Sequence, residues 1–352
     1  MNILLTGVGC PGIAGTLKAL RHNPSKERVF IFGIDMDHNA VGRLMCDTFQ
    51  RVSCPERADY IHILQRICEV NKIDIVIPQT TRESIILSEY KSTFTHSGVK
   101  VLVNDPDVMN LYNDKHTLLN MCEQLNLPCA SYRTVQTQND LIGSIRKMGY
   151  PYNPIVVKPL VGNGGRGVRI IDKQPDFNTY LNQKPDGMRT TLTDLINIFK
   201  TAETWPNVLL MEYLPGKEYS VDVLNISKNK RMIIPRVRDK IRSGISFVTS
   251  VVHNYKIESQ INSLLANKPL FGVFGFQFKE NENGTPCLME CNPRIQGTMV
   301  AAQMAGVNII WAAVESLVYG KLKTPLPKDY KDIKFLRYWG GIAETGDDVE
   351  FI

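Results

Sequence analysis

The sequence predicts an α/β domain on a parallel sheet, followed by two regions of mixed α+β structure. Three observations predict it. Apolar runs at 2–6, 29–34, 73–78 and 99–103 alternate with helical patterns near 12–22, 59–70 and 82–91. Such runs are those of strands covered on both faces, and strand–helix alternation builds a parallel sheet. Beyond 129 the strands lengthen and follow one another directly. The 352 residues, 43% of them apolar, are enough for two or three domains with sizeable cores.

The elements follow in order. Pro106 opens another helical stretch, and Asn113-Asp114 caps a helix from 114 to about 125 that ends at Asn126-Leu127-Pro128. A second region has a strand at 131–135, a helix at 138–148, a strand at 154–158, a glycine-rich turn at 162–167 and a strand at 167–171. A polar helical stretch fills 175–204. A third region carries strands at 207–213, 217–226, 230–238 and 246–253. A helix at 256–267 follows, with Ile257, Ile261, Leu264 and Leu265 on one face. A hairpin at 272–292 and helices at 297–305 and 307–320 complete the reading. The domain boundaries expected are 1–112, 113–206 and 207–352.

Charge and composition exclude some functions. The net charge is +6, from 41 basic and 35 acidic residues, with no basic block. There is thus no footprint for nucleic acid, although a positive cleft for an anionic substrate fits. The eight cysteines, Cys10, Cys46, Cys54, Cys68, Cys122, Cys129, Cys287 and Cys291, form no CxxC pair and no zinc pattern. They read as reduced core thiols of a cytoplasmic protein. Nucleophile roles for Cys10 or Cys291 compete with plain burial. The chain opens on a strand pattern rather than a signal peptide, and no apolar run nears the ~20 residues of a membrane span.

The segment TGVGCPGIAG, residues 6–15, follows the first strand and places Gly7, Gly9 and Gly12 in a G-x-G-x-x-G pattern. Asp35 ends the next strand, where a dinucleotide ribose would find an acid. Read alone, these residues suggest an NAD(P)-dependent oxidoreductase. Thr80-Thr81-Arg82-Glu83, after the strand at 73–78, is either a substrate rim or an ordinary helix start.

The hairpin is the most informative passage. Asn283-Gly284 suits a two-residue type I′ turn, which would place Gln277 directly across from Glu290. Period-two alternation then puts Phe274, Phe276, Phe278, Cys287, Met289 and Cys291 on one face, and Gln277, Glu290 and Asn292 on the other. A longer loop from Asn281 to Gly284 shifts the pairing by two and keeps that sharing. One carboxylate and two amides on a rigid sheet suit Mg²⁺, which leaves positions for phosphates and water. The alternative is an exposed polar sheet face. Arg294 follows, a cation suited to an anionic reacting group.

These residues resemble a known family. Met289-Glu290-Cys291-Asn292-Pro293-Arg294, with Phe276-Gln277-Phe278, resembles the metal strands of ATP-grasp enzymes, closest to the carbamoyl phosphate synthetase large-subunit type. Ile155-Val156-Val157-Lys158-Pro159 and Gly162-Asn163-Gly164-Gly165-Arg166-Gly167-Val168 resemble its lysine strand and glycine lid. Residues 208–214 and 216–222 are similar to its adenine hinge and ribose strand. The match covers about residues 1–320. It implies a Rossmann-like pre-ATP-grasp domain followed by a two-subdomain ATP-grasp fold.

The resemblance also implies roles. Lys115 and Lys158 would meet phosphates, with the lid glycines Gly164 and Gly165 covering them. Without the glycine loop that follows it, Lys158 reads as a solvated strand end, and the loop itself reads alternatively as a plain hairpin turn. Glu212, Tyr213 and Leu214 would meet adenine, and Glu218 would accept the ribose hydroxyls. Gln277, Glu290 and Asn292 would hold Mg²⁺ or Mn²⁺ beside the phosphates of ATP, with Gln277 also on the nucleotide side. Arg294 would stabilise an acyl phosphate. Arg236, Arg238, Lys240 and Arg242 alternate on one strand and so share a face, either solvated or reaching an anion. Arg238 and Lys240 are the two assigned catalytic roles.

The reaction implied is an ATP- and Mg²⁺-dependent joining of a carboxylate to an amine or thiol through an acyl phosphate, releasing ADP and phosphate. The substrates would be small molecules, with neither nucleic acid nor membrane as partner and with room for a homodimer. The rivals are a stand-alone carbamoyl-phosphate-type phosphorylating unit, the NAD(P) oxidoreductase and a non-catalytic ATP-binding module.

Overall fold

In a computed structural model, which describes residues 1–160, 167–173, 188–242, 244–338, 340–345 and 348–351, the chain forms two compact units. One gathers Met1–Asn113, Glu218–Phe278 and Glu290–Ile352, and the other Asp114–Lys217 and Lys279–Met289.

The first unit begins with the expected parallel sheet. β1 (Asn2–Thr6) lies between β2 (Phe30–Asp35) and β4 (Ile75–Pro78), in register Leu4↔Phe32 and Leu4↔Val76. β3 (Thr48–Arg51), which no apolar run announced, and β5 (Lys100–Val101) add the edges in the order β3-β2-β1-β4-β5. Alternation along β1 sorts the core. Ile3 and Leu5 pack with Leu17 and Leu20 of α1 (Ile13–Arg21), while Leu4 packs with Tyr60, Leu64 and Ile67 of α2 (Tyr60–Val70). The helical pattern at 82–91 resolves into α3 (Thr81–Glu89) and α4 (Lys91–His96), and α5 (Pro106–Asn113) follows.

Most of a largely antiparallel sheet, in the order β15-β14-β11-β12-β13-β16, belongs to the same unit, while the hairpin end of β14 and β15 belongs to the other. Its strands are β11 (Glu218–Ser227), β12 (Lys230–Arg242), β13 (Ile245–Val251), β14 (Gly272–Glu280), β15 (Pro286–Asn292) and β16 (Ile333–Leu336). α9 (Tyr255–Asn267) carries Ile257, Ile261, Leu264 and Leu265 buried, on the face the spacing predicts. α10 (Val300–Met304) and α11 (Ile309–Tyr319) pack their apolar residues into the core that holds Ile3, Leu5 and Leu17. Leu224, Ile234 and Val251 of the antiparallel sheet enter that core too. Residues 1–112 therefore share one hydrophobic interior with much of 218–320.

In the second unit α6 (Lys115–Gln124) leads to a five-stranded sheet ordered β6-β10-β7-β8-β9. These strands are β6 (Tyr132–Val135), β7 (Ile155–Pro159), β8 (Arg169–Ile171), β9 (Arg189–Thr190) and β10 (Val208–Glu212). α7 (Gln138–Lys147) and α8 (Leu192–Phe199) cover one face through Leu141, Ile145 and Leu195, against Ile155, Val157, Val208 and Leu210. Leu209 and Met211 look the other way, toward Leu119 of α6. The polar helical stretch expected at 175–204 is, within 188–204, a short strand and a short helix. The rest of it lies outside the described residues. A two-stranded ribbon, β17 (Ile342–Thr345) and β18 (Asp348–Phe351), lies beyond 320, where no element was expected.

Candidate functional site

In the second unit, Lys158 sits on β7 opposite Leu209 of β10 and is 4% exposed. Its Nζ lies 3.4 Å from the Met211 sulfur. An ammonium carried on an apolar strand and held this far from water is not a solvated strand end. Lys115 opens α6, is 3% exposed, and its backbone N–H donates to the Leu160 carbonyl at 3.4 Å. The Asp114 side chain caps that helix by accepting from the Thr117 N–H at 2.7 Å. The two lysines thus enter this unit two residues of backbone apart, at Leu160. Glu212 closes β10, with its N–H on the Ser131 carbonyl at 2.9 Å. The Tyr213 ring carries the Lys279 ammonium 5.0 Å from its centroid, and Leu214 is buried. Gly164 and Gly165 lie outside the described residues, as does most of the expected lid.

In the first unit, Glu290 and Asn292 are two apart on β15, and Asn292 Nδ2 lies 3.5 Å from Glu290 Oε1. Arg294 is fixed beside them. Its Nη2 donates to Asn292 Oδ1 at 3.2 Å, its Nε to Thr81 Oγ1 at 2.8 Å and its Nη1 to the Ile295 carbonyl at 2.8 Å. Burial pulls this guanidinium below its ordinary pKa. Thr81 belongs to the segment weighed as a substrate rim. That segment is a helix start, with Thr80 accepting from the Glu83 N–H, but one that anchors Arg294.

The hairpin turn differs from expectation. The Asn281 N–H bonds the Thr285 carbonyl at 3.0 Å, and Gly284 donates to the Asn281 carbonyl at 3.0 Å with φ +69°. The loop is therefore Glu282-Asn283-Gly284, three residues rather than two or four. It is closed by the Asn281 side chain, which accepts from the Asn283 and Thr285 N–H groups. A one-residue offset reverses parity. The turn thus no longer places Gln277 across from Glu290. Gln277 is half-buried on β14, and the pair that stands together is Glu290 and Asn292. Leu288 is fully buried.

The arginine strand is also corrected. Register shifts between Val237 and Lys240, and again before Ile241, break the alternation of β12. Arg236 is 1% exposed and binds Asp222 through Nε at 2.6 Å and Nη2 at 2.9 Å. Arg238 pairs with Glu218 and also donates to Ser246 Oγ at 3.0 Å and the Gly244 carbonyl at 2.6 Å. Arg242 stacks on Phe247 at 4.9 Å, and Lys240 is exposed. The four cations do not form one stripe. The Glu218 carboxylate, expected to accept ribose hydroxyls, already holds Arg238.

The glycine loop is filled by the chain itself. Gly7 has φ +65°, and a Cβ there would stand 2.6 Å from Glu83 Oε2. The Gly9 N–H, a donor that a pyrophosphate would need, bonds Asp35 Oδ2 at 2.7 Å. A Cβ on Gly12 would stand 2.5 Å from the Gly297 Cα. Each glycine answers an internal approach, so the pattern no longer supports a dinucleotide. Cys10, in the same loop, is pushed up to about 11 by burial, and Cys291 well above its ordinary value, which removes both as ready nucleophiles.

No helix among the described residues is long and apolar enough to cross a membrane. Nor do they include a cluster of three His, Cys, Asp or Glu fit for a metal ion. The donors at hand are one carboxylate and an amide. Oxygen donors so few suit a hard ion completed by phosphates and water, and fit Mg²⁺ on that condition.

Comparison with known proteins gives concordant matches. The family described as "ATP-grasp in the biosynthetic pathway with Ter operon" matches residues 204–335, and "PylC-like, N-terminal domain" matches residues 3–102. The carbamoyl phosphate synthase large chain of Clostridium acetobutylicum is 24% identical over 277 residues, covering 75% of this chain and 24% of that protein. The arginine-specific large chain of Bacillus subtilis is 25% identical over 276 residues, covering 74% and 24%. The chain spans about a quarter of the length of these relatives. Among solved structures, N5-carboxyaminoimidazole synthetase of Staphylococcus aureus with ADP has a TM-score of 0.68 at 16% identity, covering 94% of this chain and 79% of that one. Biotin carboxylase of Campylobacter jejuni has a TM-score of 0.68 at 15% identity, covering 94% and 73%. These two share the fold.

Proposed function

Because the chain belongs to the ATP-grasp superfamily, we propose that it joins a carboxylate to an amine or thiol at the expense of ATP. The carboxylate attacks the γ-phosphorus, giving an acyl phosphate and ADP. The amine or thiol then displaces phosphate. The observation that carries this reading is the Glu290–Asn292–Arg294 cluster, with its arginine locked by Thr81.

The roles follow from charge and burial. Lys158 and Lys115 are point charges for the nucleotide phosphates, strengthened by exclusion of water. Glu212, Tyr213 and Leu214 take the base, Tyr213 and Leu214 supplying apolar surface. Glu290 and Asn292 would hold Mg²⁺, with Gln277 the further donor assigned. The ion, when bound, neutralises charge on the transferring phosphoryl group. Arg294 would meet the acyl oxygen as that oxygen gains charge. Arg238 acts through Glu218, by fixing its carboxylate, and Lys240 remains an exposed cation available to an anionic substrate.

The test is release of ADP and phosphate from purified protein, MgATP and panels of carboxylates and amines. ADP should appear only with a matching pair and with Mg²⁺. AMP as the product would sink the acyl-phosphate route. A second reading, phosphorylation of bicarbonate or carbamate, is favoured by the two carbamoyl phosphate synthase relatives. ADP release with bicarbonate and ammonia alone would select it.

A further inference from the structure

Ala14, Leu17, Lys18, Arg21 and His22 stand at i, i+3, i+4, i+7 and i+8, so they form one stripe along α1 and its C-cap. The stripe is apolar at its start and cationic at its end. It forms one wall of a cavity of about 510 Å³, a size that suits a small ligand. The other walls are Leu44 and Met45, at the end of the 3₁₀ turn Val41–Leu44, and Phe351 of β18. Arg43 of that turn holds the ribbon in place, its Nη1 donating to Glu344 Oε1 of β17 at 3.0 Å. Leu17 is 4% exposed and Phe351 55%, so the apolar lining runs from the core out to solvent.

The cations at this end are not consumed by the helix. Its dipole favours them there, yet its last carbonyls are already bonded. The Lys18 carbonyl accepts from the His22 N–H at 2.9 Å and the Ala19 carbonyl from Asn308 Nδ2 at 2.7 Å. The Leu20 carbonyl accepts from Asn23 Nδ2 at 2.9 Å and the His22 carbonyl from Gln303 Nε2 at 3.2 Å. Arg21 pairs with Asp47 at 3.3 Å, and the other Asp47 oxygen takes the Ile31 N–H at 2.7 Å. Lys18 and His22 have no ion-pair partner among the described residues. Glu350, beside Phe351, alternates to the other face of β18. The rim is therefore net positive next to an apolar wall. A neutral apolar ligand would leave Lys18 unmatched, and a small anion would leave the wall wet. A chain with one anionic end answers both. From Ala14 to His22 the stripe is about 12 Å long at the helical rise, the length of a medium-chain carboxylate.

We propose that this cavity binds a medium-chain fatty carboxylate from solution, its chain against Leu17, Leu44, Met45 and Phe351 and its head on Lys18, with Arg21 and His22 beside it. The site is separate from the Glu290–Asn292–Arg294 cluster. α1 starts at Gly12, packed on Gly297, and the cations lie at its other end. The proposal does not depend on the ligase reading.

The experiment is calorimetric titration of decanoate, kept below its micellar range, into the full chain with and without MgADP. Decyltrimethylammonium carries the same chain on a cationic head, and acetate is the head without the chain. Wild type is compared with Lys18→Glu and Ala14→Phe, each checked for folding by thermal melting. Both positions are exposed, so neither change enters the core. Should Ala14→Phe fail to fold, Lys18→Glu carries the test. The expected result is saturable binding of one decanoate per chain, about tenfold or more tighter than either control, weakened about tenfold in the folded variants and unmoved by MgADP. Absence of saturable decanoate binding overturns the site. So does equal binding of decyltrimethylammonium, unchanged binding in a folded variant, or displacement by MgADP. Protein that sediments with phosphatidylglycerol vesicles but binds no decanoate would assign the patch to a lipid surface and overturn the proposal.

Discussion

At the scale of single residues, Lys158 separates function from stability. Its ammonium is 4% exposed beside Met211. Lys158→Met keeps the side-chain volume and removes the charge. Its turnover should fall by about 10²–10³, as for loss of one transition-state donor, in a protein that still melts cooperatively. A stable variant with normal turnover would remove Lys158 from the phosphate site. Glu83 makes an opposite case, in which the charge is the liability. It is buried with its carboxyl bonded by Thr80 Oγ1 at 2.7 Å and by the Tyr60 hydroxyl at 3.3 Å. Burial, aided by the charge of Asp35, raises its pKa from 4.5 to about 7. The folded pKa exceeds the unfolded one, so folding takes up a proton between them. Stability is full below about pH 4.5, declines up to about pH 7 and is flat above. Glu83→Gln cannot ionise and should lose that decline. Across the window its stability should rise relative to wild type by about 3 kcal/mol, from about 1.4 kcal/mol per pKa unit. Parallel stability curves for the two proteins would show that Glu83 does not titrate there.

At the scale of elements, the reason for a glycine decides what its replacement does. Gly12 caps α1 with φ −93° and ψ −5°, a conformation that alanine tolerates. Its constraint is the Gly297 backbone, 2.5 Å from where a Cβ would stand. Gly12→Ala should thus destabilise by about 1–3 kcal/mol, through backbone displacement alone. Gly143, inside α7, meets nothing within 4 Å, so Gly143→Ala should stabilise by about 0.5–1 kcal/mol. Urea unfolding of both variants checks the pair, and equal effects would refute the packing account. The same contrast marks what was legible in the sequence. The G-x-G-x-x-G spacing and its place after β1 could be read directly; that Asp35 and Gly297 occupy the space of a ligand could not, since both are distant in sequence. The hairpin was legible, but Asn283-Gly284 suits a two-residue turn and the corner of a three-residue loop alike. The Asn281 side chain decides between them by bonding two backbone N–H groups. The alternation of Arg236, Arg238, Lys240 and Arg242 was real in sequence, yet bulges in β12 scattered those side chains.

At the scale of the whole molecule, strand–helix alternation marked residues 1–112 as a domain, but the core does not respect that boundary. One face of the parallel sheet is covered by α1. Beyond α1 the same interior takes in Trp311, Ile309, Ile310 and Val314 of α11, all buried. The Trp311 indole N–H, moreover, bonds Ser25 Oγ at 2.7 Å, and the Asn308 side chain caps α11 while donating to the Ala19 carbonyl at 2.7 Å. A fragment ending at Asn113 would keep its sheet, α1 and α2, but would expose the apolar surface that α10 and α11 cover. Burial of one large apolar side chain contributes about 1.5–3 kcal/mol, and net stability is only about 5–15 kcal/mol. Losing four or more such contacts removes the margin. The fragment 1–113 should therefore melt without a cooperative transition, lack near-ultraviolet circular dichroism and bind a hydrophobic dye, whereas the full chain should do none of these. In the full chain, Trp311→Ala should destabilise by about 3–5 kcal/mol. A fragment 1–113 that unfolds cooperatively with native near-ultraviolet signal would show that the parallel sheet closes its own core, and that α11 only rests against it.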